Sequence, residues 1–382
     1  LVYVHGLPDD GKVMQAIVQS AVLVHAAYAV WACASAFSEC ADVATRMLLE
    51  DARLSSLRAN ASWAAESYVF SAKSGRRKDV ALLPQKLYEM RHFLRQVPGP
   101  VDLKSPDVRL VLLEDGDAEA GARPHQVWLT REIARGSRGL TERLSLRRRP
   151  YVTTTSMEPK ASLVMSHVAG LREGDKVCDP MAGGGGLLLA AAQLGAQVTV
   201  GVDVNASIDI GRVADNFRVL GLRPPEDFLF GRADDPKVQA GLRRWGPFDV
   251  LVVDPPYGKR EKGPVRAEGV IQEAIYTLYE LASKDEILRV GGRLVFFLPM
   301  DPRWASRDII PLLPTHPSLV IVSISRQPLN TRLDRYLIAL QKNQASLEGD
   351  RVIAPWEEME RGAADDLSHI DAKDPSCTWH YK

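Results

Sequence analysis

From Pro159 to Lys342 the chain alternates between strand-like and helix-like segments, and this pattern limits its fold more than any other feature. KVCDP (Lys176 to Pro180), QVTVGVD (Gln197 to Asp203), DFLFGRA (Asp227 to Ala233), FDVLVVD (Phe248 to Asp254), RLVFFLP (Arg293 to Pro299) and SLVIVSIS (Ser318 to Ser325) read as strands, with helical spacing between most of them. Such alternation points to a parallel sheet covered on both faces. YLIALQK (Tyr336 to Lys342) is expected as a last, antiparallel strand. The predicted class is α/β, a Rossmann-like doubly wound sheet behind an N-terminal α+β region.

Residues 1–145 form that mixed region. Strands are expected in SAVLVHAAYAVW (Ser20 to Trp31), SYVFSAKSG (Ser67 to Gly75), Val108 to Leu113 and HQVWLTREIA (His125 to Ala134). Helices are expected over Ala41 to Ala59 and over Gln85 to Val97. RLSLRRRPYVTTTSMEP (Arg143 to Pro159) reads as the linker into a second domain, 146–345, and 346–382 reads as an acidic, polar tail. The apolar run Val13 to Phe37 is long enough to span a bilayer. Gln15, Gln19, Ser20 and His25 interrupt it, and Lys12 is its only basic flank, so a helix followed by a buried strand is expected instead. The first residue is Leu1 rather than Met, which leaves the completeness of the N-terminus open.

Lys+Arg and Asp+Glu number 48 each, so net charge points to no partner, and any basic surface must come from local clusters. Cys33, Cys40, Cys178 and Cys377 are scattered without CxxC spacing. That suggests neither a disulfide framework nor a zinc knuckle and fits a reducing compartment such as the cytoplasm.

VCDPMAGGGG carries a strand to Asp179, then Pro180 and the glycines Gly183 to Gly186, before a helix begins at Leu187. Glycines there let a ligand approach the backbone closely. The next strand ends at Asp203, about 20 residues on, where a carboxylate can hold two ribose hydroxyls. A dehydrogenase would share this pair. Asp179 would repel a diphosphate, so a cationic nucleoside such as S-adenosylmethionine fits better.

VLVVDPPYGKRE (Val250 to Glu261) ends a buried strand on a carboxylate, two prolines and an aromatic ring. Prolines cannot continue a central strand. Asp254 offers acceptors and Pro255 a carbonyl, a pair suited to the two hydrogens of an exocyclic amine. Tyr257 can stack on a base, worth ~1–3 kcal/mol in single-strand binding.

The stretch Asp254-Pro255-Pro256-Tyr257 resembles the catalytic motif of amino-methyltransferases acting on adenine N6, cytosine N4 or guanine N2. The longer run DPPYGKRE resembles one branch, the tRNA guanosine-10 N2-methyltransferases with an N-terminal THUMP domain. VDLKSPDVRLVLLED, CDPMAGGGGLLLAAAQLGAQVTVGVDV and HPSLVIVSISRQPLNTRL are similar to further segments of that family. The resemblance implies transfer of a methyl group from S-adenosylmethionine to guanosine N2. It implies an amine site of Asp254, Pro255, Pro256 and Tyr257. Its cofactor residues are Thr155, Ser156, Asp179, Pro180, Gly183, Gly185, Asp203 and Val204, with Met157 completing a Thr-Ser-Met element. This chain departs from the pattern at Thr154, Met181, Gly184 and Arg232. Arg232 stands where the family has an Asp that reaches the adenine amino group. Asp234 is expected to take its part, since residues two apart share a strand face.

Candidate RNA contacts are Arg76, Arg77 and Lys78, then Arg147, Arg148 and Arg149, then Lys259 and Arg260. The resemblance further implies tRNA as partner and a small zinc-binding activator subunit, with no membrane and no metal in the chain itself. Competing readings are another nucleic-acid amino-methyltransferase (adenine N6) and a non-catalytic RNA-binding subunit on a methyltransferase fold. A nicotinamide dehydrogenase would leave Asp-Pro-Pro-Tyr unexplained.

Overall fold

The structure is a computed structural model that describes 11–355, apart from 22, 51–53, 55–56, 58, 72–74, 117–125, 137, 155, 257–266, 301, 303–307 and 332. The chain divides into two compact units, Leu1–Arg138 and Gly139–Lys382. The division falls a few residues before the expected 145, because the linker helix α5 (Arg138–Arg143) lies almost wholly in the second unit.

The first unit has helices α1 (Gly11–Ser20), α2 (Phe37–Glu50), α3 (Leu83–Glu89) and α4 (Arg91–Leu94). Among the described residues its strands are β1 (Ala26–Ala34), β2 (Trp63–Ser71), β3 (Gly75–Lys78), β4 (Val108–Asp115) and β5 (Val127–Arg135). They lie in the order β1-β5-β4-β2-β3, with β2 and β4 parallel and the other neighbours antiparallel. Trp31, Phe37, Leu54, Phe93, Leu112 and Leu129 are among the residues of its main core. The apolar run from Val13 is thus a helix followed by a strand, and none of the described helices is long and apolar enough to cross a membrane. The helix expected over Gln85 to Val97 breaks at Met90 (φ −88°, ψ 4°), an arrangement in which Met90 and Phe93 are both buried. Lys86 is buried as well. Its ammonium donates to Asp79 (2.8 Å), Glu114 (2.6 Å) and Ser67 Oγ (3.0 Å).

The second unit contains the alternating segments. Its strands are β6 (Lys176–Asp179), β7 (Val198–Asp203), β8 (Asp227–Phe230), β9 (Phe248–Val253), β10 (Leu288–Met300), β11 (Leu319–Asn330) and β12 (Leu333–Lys342). Helices α6 (Pro159–Val168), α7 (Gly186–Gln193), α8 (Ile210–Arg218), α9 (Pro236–Trp245) and α10 (Ala267–Ser283) join them. Asp209 and Asp235 cap α8 and α9 by accepting from Arg212 N and Lys237 N. The order is β11-β12-β10-β9-β6-β7-β8, parallel from β10 to β8 and antiparallel at β12, as its sequence pattern implied. The central strands are buried on both faces, so they read as continuous apolar runs. Of the expected tail, the described residues run to 355. Val352 and Ala354 are buried, and Thr315 and Ile353 exchange two backbone hydrogen bonds of 2.9 Å.

Lys86→Met should lower the stability of the first unit by about 3 kcal/mol, the scale for removing one member of a buried ion pair. Denaturant unfolding followed by tryptophan fluorescence measures this.

Candidate functional site

The chain runs from β6 outward to β7 and β8, then returns to β9 on the other flank of β6. Strand order reverses there, and in open α/β sheets the crevice beyond the carboxyl ends at such a point holds the ligand. Cys178 pairs with Leu251, so Asp179 follows that register by one residue and Asp254 by three. Asp203 ends β7. Three carboxylates from three strand ends therefore gather at one edge of the sheet, with Asp203 and Asp254 in electrostatic range of Asp179.

Their environments differ. Asp179 is 1% exposed, and its Oδ1 accepts from Met181 N at 3.0 Å. Burial, with the Asp203 and Asp254 carboxylates in electrostatic range, pushes its carboxyl well above the ordinary carboxylate range against the lowering effect of that hydrogen bond. Asp203 Oδ2 accepts from Gly183 N at 2.7 Å and Oδ1 from Asn205 N at 2.8 Å. It therefore ties the glycine loop to β7, a structural task that its sequence position does not reveal. Each oxygen keeps a second lone pair for a ribose hydroxyl. Asp254 is half-buried, Pro255 buried and Pro256 half-buried.

Gly183 (φ 51°) and Gly185 (φ 73°) take the left-handed conformation. A Cβ on Gly185 would also stand 3.0 Å from Val213 Cγ1, so the loop lies close against α8. Ser156 and Thr153 lie over the loop: their hydroxyls are 3.3 Å from where a Gly184 Cβ would stand. Pro180 is buried beside Asp179, whereas Val204 is 70% exposed. Thr155, Tyr257, Lys259 and Arg260 lie outside the described residues, as do the side chains of Arg76 and Arg77.

Two expectations need correction. Arg149 is buried, and its Nε and Nη2 donate to Leu144 O at 3.1 and 2.9 Å. It is no part of a basic surface, which leaves Arg147 and Arg148 exposed there. Burial lowers its guanidinium pKa to about 10. Asp234, in turn, is held by Arg232, whose Nε and Nη2 donate to it at 3.0 and 2.9 Å and whose Nη2 also reaches Glu273 at 2.6 Å. Its two oxygens are thus engaged with the residue it was expected to replace. Asn216 and Arg212 on α8 belong to no motif, yet both grip the linker. Asn216 stands in an apolar stripe with Val213 and Phe217, which was the available signal.

The residues suit a cationic nucleoside. Glycines permit close approach, Asp203 retains acceptors, and the three carboxylates favour positive charge. Among the described residues, no group of three His, Cys, Asp or Glu could hold a metal ion.

Comparison with known proteins agrees with the motif resemblance. Residues 3–138 match the family model of the Tmrp11 THUMP N-terminal domain, and residues 147–216 match that of an RMKL-like methyltransferase domain. The mouse (Mus musculus) tRNA (guanine(10)-N(2))-methyltransferase TRMT11 is 31% identical over 285 residues, 64% of this chain and 60% of the relative. The human (Homo sapiens) protein of the same name is 31% identical over 288 residues, again 64% and 60%. That of Dictyostelium discoideum is 31% identical over 247 residues, 57% and 47%. The chain thus spans about three fifths or less of the length of these curated relatives.

Two outcomes are expected. Gly185→Ala should cost about 1–2 kcal/mol from the left-handed backbone alone, read by thermal unfolding. Asp179 has a raised carboxyl pKa, so the folded state binds the proton more tightly than the unfolded state. Its contribution to stability is largest below the ordinary carboxylate pKa and declines as pH rises from there toward the raised value. Asp179→Asn should therefore gain stability relative to the parent as pH rises, and melting curves across pH measure the difference.

Proposed function

We propose that this chain is the catalytic subunit of a tRNA (guanine-N2)-methyltransferase that uses S-adenosylmethionine and acts on guanosine 10. The observation that carries this reading is the convergence of Asp179, Asp203 and Asp254 at the switch point, with left-handed glycines between them. The relatives' names supply the base and its position.

S-adenosylmethionine, when bound, supplies a methyl group on a sulfonium. Asp203 holds the ribose and also keeps Gly183 in place. Asp179, poorly solvated on its own, becomes favourable beside a cation. Asp254 and the Pro255 carbonyl accept the two hydrogens of the exocyclic amine and turn the nitrogen lone pair toward the methyl group. The amine needs little deprotonation before attack, and Asp254 receives the proton that the nitrogen releases afterwards. Positioning and exclusion of water are then the main sources of rate. Tyr257 stacks on the base, which must leave its helix for the exocyclic amine to reach the site.

The first unit and the exposed Arg147 and Arg148 supply RNA contacts by shape and phosphate. A small zinc-binding activator subunit is the proposed protein partner, and the cytoplasm the proposed compartment. The outer strand β11 carries exposed Val320 and Val322, apolar surface suited to such a subunit. A non-catalytic RNA-binding role is favoured by the engagement of Asp234 by Arg232 and by the altered glycine loop at Met181 and Gly184.

The test uses purified chain, with and without the activator, an unmodified tRNA transcript and methyl-labelled S-adenosylmethionine. Label in N2-methylguanosine after digestion to nucleosides is expected. Label in N6-methyladenosine would move the substrate to adenine, and absence of both transfer and cofactor binding would favour the non-catalytic role. Asp254→Ala should abolish transfer while cofactor affinity changes little. Equal loss of both would remove Asp254 from the amine site.

A further inference from the structure

Asn216 is 1% exposed and lies inside a helix. A buried amide there is unfavourable unless its polar atoms are paired. Both are paired, and with one residue: Oδ1 accepts from Tyr151 N at 2.9 Å, and Nδ2 donates to Tyr151 O at 2.8 Å. The side chain thus meets Tyr151 as a neighbouring strand would, fixing orientation as well as position.

Tyr151 belongs to the segment that leads into the second domain. Arg212, on the same helix, donates to Pro150 O at 3.1 Å, and its guanidinium lies 4.9 Å from the centre of the Tyr151 ring. Upstream, Arg143 donates to Leu220 O at 2.6 Å, just past the end of α8. Downstream, Ser156 Oγ accepts from Thr153 N at 2.9 Å and lies 3.1 Å from Thr153 Oγ1, which closes a small turn. That turn rests on Gly184, and Arg149 Nη1 lies 3.3 Å from where a Gly186 Cβ would stand. The described residues of the strap from Arg149 to Ser156 are therefore fastened to α8 at Tyr151 and seated on the glycine loop at two points. The helix also touches the loop directly, through Val213 against Gly185.

We propose that Asn216 is a positioning residue of the cofactor pocket: by gripping the Tyr151 backbone it keeps the strap seated on the glycine loop as one wall of that pocket. The inference rests on the reading of the glycine loop as the S-adenosylmethionine site. Its two hydrogen bonds are the means by which α8 sets cofactor affinity.

Asn216→Leu removes both hydrogen bonds at similar volume. Arg212→Gln loosens the strap from the exposed side and disturbs no core residue, so it decides the matter if the first variant does not fold. Val238→Ala, in the buried face of α9, serves as a control for general loss of stability. Each full-length protein is titrated with S-adenosylhomocysteine by calorimetry, and amide hydrogen exchange is followed over 151–156. Asn216→Leu should bind about tenfold more weakly, the scale of a lost buried hydrogen-bond pair, and Arg212→Gln less so in the same direction. Both should exchange faster over 151–156, with affinity retained in Val238→Ala. Faster exchange with unchanged affinity would overturn the proposal and leave the cofactor reading intact. Equal weakening in the control would reduce Asn216 to a general stabilising role. Failure of the unaltered protein to bind would instead remove the cofactor reading, and this inference with it.

Discussion

The chemistry of this protein depends on the reversal of strand order beside β6. Strands β6 to β10 run parallel, so their carboxyl ends share one edge. The loops after β6 and β9 part there because their chains leave on opposite flanks. A crevice results without any side chain being removed from the core, and residues far apart in sequence meet at its rim. Burial on both faces holds the arrangement, since Val177, Cys178, Leu251 and Val252 are all at or below 1% exposure.

The crevice concentrates negative charge, and its acids hold different places. Asp203 gives an acceptor to the glycine loop and another to the turn after β7, so the backbone itself fixes it. Asp179 is nearly out of contact with water and has two other carboxylates nearby, which disfavours its charge. A site that is locally unfavourable when empty gains most from a positively charged ligand. Asp254 follows four buried apolar residues and precedes prolines that cannot extend the strand, so its carboxylate stays at the strand end.

The linker is part of this construction. Charge and proline content suggest a solvated connection, yet Arg149 folds inward, Tyr151 pairs with a helix side chain, and Thr153 and Ser156 lie on the glycine loop. The run of three arginines divides accordingly, with one buried and two exposed. Arg232 makes a similar point. It does not leave Asp234 free to act for it but binds that carboxylate and extends to Glu273 on α10.

The sequence alone determined the strands, their parallel arrangement and the residues at their ends. Apolar runs of strand length, separated by helical periods and closed by Asp179, Asp203 and Asp254, follow from local rules of burial and chain geometry. It also determined the glycine loop, because left-handed backbone at Gly183 and Gly185 excludes most other residues. Tertiary structure decided what those rules do not encode. Whether Arg149 faces water or a carbonyl, whether Asp234 meets a ligand or Arg232, and which residue Asn216 grips depend on partners distant in the chain. Hydrogen-bond pairing is set by where two segments finally lie, and a residue's type and local period record only its capacity to pair.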